Sequence, residues 1–220
     1  MFMCKKLLVI FSIAALCAES SFAQDPSVVE RPTIKVGDSW TYQETNDWRS
    51  VVTDTYSLAV SSVSDKKIEL TRKSEKAGTA ATVSETPDLN TIAKATSDGN
   101  IIRYSPDNGA FSFPLEVGKS WEAKADWTTG ERSGSYSLAT KVVGWEQVTV
   151  PAGTFTALKI TKTGYYHATN GQNSGSGTMH IVFWYAPAVK GMVKMQYEDT
   201  NWAGAPYNKK TVELVAYKAT

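Results

Sequence analysis

Apolar and polar residues alternate with a period of two along most of the chain, the spacing that puts one face of a β-strand on a core and the other in water. In Val52 to Val60 the residues Tyr56, Leu58 and Val60 share a face. Ile68 with Leu70, Val148 with Val150, Leu158 with Ile160, and Val212 with Leu214 and Ala216 repeat the arrangement. Pro151-Ala152-Gly153 joins Val148 to Ile160 as a hairpin, with Pro preset for the first turn position and Gly free to take positive φ. The segment Met179 to Tyr185 differs. Met179, Ile181, Phe183 and Tyr185 fill one face while His180, Val182 and Trp184 fill the other, so this strand is expected to be covered on both sides.

One helix is predicted after Thr86. Thr86 can cap it, Pro87 suits the first helical position, Asp88 favours the positive end of the dipole, and Leu89, Ile92 and Ala93 share a side until Asp98-Gly99 ends the segment. The stretch Thr169 to Gly177, rich in Gly, Ser and Asn, is expected to be a mobile loop. A mostly antiparallel sheet of about ten strands must close or curl to protect its edges. The expected fold is therefore mainly β: a curved antiparallel sheet, half-barrel or barrel-like, with one short covering helix.

The chain also matches itself at an offset of 79 to 81 residues. Val36-Gly37-Asp38-Ser39-Trp40 matches Val117-Gly118-Lys119-Ser120-Trp121, Asp47-Trp48 matches Asp126-Trp127, and Tyr56-Ser57-Leu58-Ala59 matches Tyr136-Ser137-Leu138-Ala139. Tyr104-Ser105-Pro106 falls opposite Tyr185-Ala186-Pro187. This predicts an internal duplication, with repeats over about 32–112 and 113–220 inside a single β domain, 24–220. The duplicated Trp40, Trp48, Trp121 and Trp127 are expected to be core wedges, because a residue needed in both halves serves the architecture.

Lys5 and Lys6 precede the apolar run Leu7 to Ala18, and Ser21-Phe22-Ala23 supplies small residues for cleavage before Gln24, so 1–23 reads as a signal peptide. The run is too short for a transmembrane anchor. Leu16 before Cys17 argues against lipidation there. Both cysteines, Cys4 and Cys17, fall inside the signal, so the mature chain is expected to hold its fold by packing alone. After cleavage acidic and basic residues balance, which removes any long-range electrostatic reason to expect nucleic acid or an anionic membrane surface as partner. The expected location is periplasmic or secreted.

The stretch Val150-Pro151-Ala152-Gly153-Thr154-Phe155, followed by Phe183-Trp184-Tyr185-Ala186-Pro187 and Gly191-Met192-Val193-Lys194, resembles an uncharacterised family of exported bacterial domains of unknown function. Their C-terminal halves carry similar VPAGTF and WYAP motifs. The resemblance implies a curved antiparallel sheet similar to the periplasmic lipoprotein-carrier half-barrel, and it implies no catalytic residue.

No phosphate loop, nucleophile elbow or zinc-protease motif occurs in the sequence. His167 and His180 have no carboxylate near them in sequence between Gly164 and Glu198, so no catalytic residue, metal or cofactor is expected. The expectation is a protein that binds rather than catalyses: a carrier for an apolar or lipid-like small molecule, with Trp184, Phe183, Val182, Tyr166 and Trp202 as candidate ligand-binding residues. The alternative is a carbohydrate or cell-envelope interaction module that uses exposed aromatics.

Overall fold

The computed structural model describes residues 27–96 and 99–219, so the expected signal lies outside the described residues. A two-residue strand β1 (Val28–Val29) precedes a meander of β2 (Ser39–Asn46), β3 (Val51–Val63), β4 (Ile68–Ser74), β5 (Ala80–Glu85), β6 (Thr91–Ala95) and β7 (Ile101–Ser105). The connection 106–119 carries β8 (Leu115–Glu116). The meander then resumes with β9 (Ser120–Thr129), β10 (Arg132–Val150), β11 (Gly153–Asn170), β12 (Asn173–Ala186), β13 (Gly191–Thr200) and β14 (Pro206–Lys218). Twelve of these form a closed antiparallel barrel: β7 pairs with β9, and β14 returns to pair with β2. β1 and β8 make a separate two-stranded sheet. Closure removes the free edges that a half-barrel would leave.

The expected helix is a hairpin. Leu89 adopts φ 61°, its N–H donates to the Thr86 carbonyl at 2.9 Å, and the Thr86 N–H donates to the Asn90 carbonyl at 2.8 Å, which reverses the chain between β5 and β6. Pro87 and Asp88 suit a tight turn as well as a first helical turn, and here strand pairing on both sides decided between them. Thr169 to Gly177 is likewise no loop. β11 and β12 pair out to Asn170 and Asn173, leaving a two-residue turn with Gly171 at φ 59°. The turn at Pro151-Ala152 forms as expected, with Val150 opposite Gly153.

The two Val-Gly-x-Ser-Trp openings are built alike. Gly37 and Gly118 take φ 93° and 92°. The Gly37 N–H donates to Val60 and the Val60 N–H to Asp38, while the Gly118 N–H donates to Val142 and the Val142 N–H to Lys119. A register shift follows each contact, at Val60/Ser62 and Val142/Gly144. Trp40 and Trp121, each second in its strand, donate their indole N–H to carbonyls of Val189 and Gly109 at 2.7 and 3.2 Å. The later matches diverge. Trp127 lies within β9, whereas Trp48 sits in the turn after β2, 57% exposed and no core wedge, because that turn carries it past the last paired residue. Tyr104 and Tyr185 are each the penultimate residue of their strand, but β7 is the sixth strand from its opening and β12 only the fourth.

Two apolar clusters fill one end of the barrel. One joins Trp40, Tyr42, Val60, Leu70 and Leu214 to Phe155, Trp184 and Ala186. The other joins Val29, Leu115, Val142, Leu158 and Ile160 to Phe183 and Tyr185, with Phe111 and Phe113 packed on it. β12 thus has protein on both faces, as its two-sided apolar pattern implies. Outward rows on the long strands are largely Ser, Thr and charged, with Tyr165 exposed among them: the Ser137 hydroxyl meets Glu122, Thr163 meets His180, and Lys194 pairs with Glu213. A membrane-spanning barrel carries an apolar outer band, which these polar rows do not make. Among the described residues no helix is long and apolar enough to cross a membrane.

Candidate functional site

The inward faces of the strands change character along the barrel axis. β3 runs from Val60 and Leu58 through Tyr56 to Asp54, and β4 from Ile68 and Leu70 to Arg72 and Ser74. On β13 Val193 and Met195 give way to Tyr197 and Asp199, on β11 Leu158 and Ile160 give way to Lys162, and on β14 Leu214 and Val212 give way to Lys210. The apolar end lies toward the β10–β11 turn and is filled by the core clusters; the polar end lies toward the β2–β3 and β13–β14 turns. Half-buried side chains such as Tyr56, Tyr136, Tyr197, Met179 and Ile181 line this polar half of the lumen.

Its charges are arranged in compensated sets. Arg72 donates to Asp54 at 2.6 Å and lies 4.2 Å from the Tyr56 ring centroid. Burial works against the Asp54 carboxylate, but hydrogen bonds from Ser74, Arg72 and the Lys76 backbone N–H together hold it below its usual range. Lys210 pairs with Glu44 at 2.9 Å and lies 5.8 Å from the Tyr197 centroid. The Tyr197 hydroxyl donates to Asp199 at 2.6 Å, and burial together with that bond pushes its pKa up. Across the lumen Tyr104 and Tyr136 meet edge to face at 6.4 Å, with Lys94 and Lys162 beside them.

The connection 106–119 forms the lumen floor. The Tyr136 hydroxyl and Lys162 Nζ donate to the Asn108 carbonyl at 2.9 and 3.1 Å, and Lys162 Nζ also reaches Gly109 at 3.2 Å. A Cβ on Gly109 would collide with Ala123, so Gly lets the connection lie flat on β9. Burial drives the Lys162 ammonium down to about 8 and pushes the Glu85 carboxyl up to about 7. Among the described residues no cluster of three or more His, Cys, Asp or Glu side chains could hold a metal.

The five residues expected from sequence do not converge. Trp184 is buried, its indole N–H donates to Glu146 at 2.8 Å, and Lys159 Nζ lies 5.6 Å from its ring centroid. Val182 is on the same face, while Phe183 points the other way into the ring cluster, 5.4 Å from Phe111. Tyr166 reaches the lumen and donates to the Thr200 carbonyl at 3.1 Å. Trp202 is 83% exposed in the β13–β14 turn. Two shallow depressions, of about 330 and 430 Å³, lie by Asn100 and Arg132 and by Glu122 and Tyr165, away from Trp184. Tyr42, Glu44, Asp54, Tyr56, Arg72, Glu85, Tyr136, Lys162, Tyr197 and Lys210 were missed. For all but Glu85, which stands opposite Ile68 at the other end, their signal was present: a period-two face that begins apolar and ends on polar or charged residues at the same end of successive strands.

Among solved structures, a protein described as exported, with a YmcC-like fold, from Bacteroides fragilis is similar over 86% of this chain and 99% of its own, at 17% identity and TM-score 0.52. A protein described as a lipoprotein from Parabacteroides distasonis covers 89% of this chain and 100% of its own, at 16% identity and TM-score 0.49. The hypothetical lipoprotein YmcC from Escherichia coli covers 86% and 90%, at 12% identity and TM-score 0.44. No curated protein matches the chain. The VPAGTF and WYAP motifs lie inside the one segment matched to a family, and residues 134–204, most of β10 together with β11, β12 and β13, match the DUF3108-like family of uncharacterised domains.

Proposed function

We propose that this chain is an extracytoplasmic binding protein that holds an amphiphilic, lipid-like molecule in the polar half of its barrel. The observation that carries the reading is the polarity gradient of the inward faces. Half-buried tyrosines and methionines offer ring and aliphatic surface, and the Glu44–Lys210 and Asp54–Arg72 pairs beyond them offer partners for a headgroup. The export signal expected at 1–23 and the description of the Bacteroides fragilis protein as exported support the location. Binding rather than catalysis is supported by the exposed positions of His167 and His180 and by Ser74, whose hydroxyl is committed to the arginine-paired Asp54.

Native mass spectrometry of the purified mature protein, followed by titration with a fluorescent fatty-acid probe, tests the reading. Tyr197→Ala is expected to weaken probe binding by about tenfold, roughly one lost ring contact with its hydrogen bond. Trp184→Ala is expected to leave probe binding unchanged and to lower stability by about 3–5 kcal/mol, since it removes a buried ring. A protein that takes up neither probe nor co-purified amphiphile, or a Tyr197→Ala variant that binds like the parent, would overturn the proposal.

A further inference from the structure

At the polar end of the barrel three large aromatic side chains stand in solvent: Trp48, Trp202 and Tyr207, at 57%, 83% and 69% exposure. With Val51 and Val52, themselves exposed, they occupy the β2–β3 and β13–β14 turns and the strand ends beside them. The two hairpins are neighbours, because the Asp47 N–H donates to the Lys209 carbonyl at 3.1 Å and the Thr211 hydroxyl to Asp47 at 2.9 Å. The turns are held firmly. Asn46 Oδ1 accepts the N–H groups of Trp48 and Arg49, and Asn201 Oδ1 accepts those of Ala203 and Ala205. These rings are therefore presented by ordered turns, and exposed apolar side chains gathered on two neighbouring hairpins at one end of the barrel point to an interaction surface.

We propose that this end of the barrel docks on the surface of a lipid bilayer, with Trp48, Trp202 and Tyr207 in the headgroup region. Trp and Tyr settle at a water–hydrocarbon boundary because their rings are apolar and their N–H and O–H groups polar. Val51 and Val52 distinguish a bilayer from a glycan: aliphatic side chains have nothing to stack on a sugar face, but they partition into acyl chains. Hairpin tips are convex, and convex apolar tips fit a fluid medium that deforms around them, whereas a folded partner must supply a matching hollow. Arg49, exposed in the same turn, offers a cation to lipid phosphates. The polar half of the barrel, where the proposed amphiphile would sit, lies at this end, so a bound amphiphile would meet the bilayer directly; that point rests on the proposed ligand, while docking does not.

The test is co-sedimentation of the purified mature protein with vesicles of phosphatidylethanolamine and phosphatidylglycerol. The parent is expected to sediment with them, and the double variant Trp48→Ser/Trp202→Ser to bind at least about tenfold more weakly with an unchanged melting temperature. Tyr165→Ser, which removes an equally exposed ring from the barrel wall, is expected to bind like the parent. A parent that stays in the supernatant, a double variant that sediments fully, or equal loss in Tyr165→Ser overturns the proposal. Failure of the ligand reading is separable: Tyr197→Ala is expected to sediment normally, and the double variant to retain the soluble fatty-acid probe.

Discussion

Glu85 faces the lumen at the end of β5, enclosed by side chains, and its carboxyl rises from an ordinary 4.5 to about 7 because burial disfavours the ionised form more than Lys94 restores it. A carboxyl that holds its proton more tightly folded than unfolded favours folding at low pH, and that contribution is lost as the pH rises from about 4.5 to about 7. Glu85→Gln, neutral throughout, is therefore expected to be more stable than the parent at pH 8 by roughly 1–2 kcal/mol and to lose the advantage near pH 4.5. Thermal melts of both proteins at the two pH values decide; a difference that does not change with pH counts against a buried carboxyl. Sequence alone could not single out Glu85. Glutamate closing a strand reads as a solvated edge, and only the curvature of the barrel turns that edge inward.

At the scale of elements, period two was legible wherever one face met a core and the other water. It was ambiguous between β5 and β6, where a capping Thr, a Pro and a spaced apolar trio satisfied helical rules equally well and the neighbouring strands decided. Length was also hidden. β10 and β11 run on past their apolar segments into Ser, Gly and Thr, because backbone pairing on both sides replaces side-chain burial, and β12 extends alongside β11 to Asn173. Their glycines are what let the strands close up. A Cβ on Gly164 would collide with the Ser137 carbonyl, and one on Gly134 with the His167 carbonyl and the Trp127 ring, whereas Gly175 faces open space. Gly164→Ala is expected to cost roughly 1–3 kcal/mol or more, and Gly175→Ala to stay within about 0.5 kcal/mol of the parent. Chemical denaturation of the pair checks this, and equal stabilities would show that the close approach at Gly164 is readily relieved.

For the whole molecule, the repeated Val-Gly-x-Ser-Trp opening was visible in the chain and corresponds to two turns of matching geometry, each starting a run of six strands. Closure was not visible, because β14 and β2 meet across nearly the whole chain. Lys210 and Glu44 are 166 residues apart in sequence. Removing β14 (residues 206–220) is expected to abolish the single cooperative melting transition, since it takes Val212 and Leu214 from the core and leaves β2 and β13 with free edges. A sharp transition in the truncated chain would mean that the remaining eleven strands close without it.

That same long-range pairing imposes an order on the birth of the molecule. As the chain emerges from a secretion channel, each strand after β2 finds its partner already waiting beside it, apart from the pause across the 106–119 connection. β2 alone has one side committed early and the other idle until the last strand is released. Throughout that interval the nascent protein offers an unsatisfied edge to any passing strand, its own siblings included. Misassembly should therefore concentrate on the seam between β2 and β14, where the first strand must keep its place open for the last.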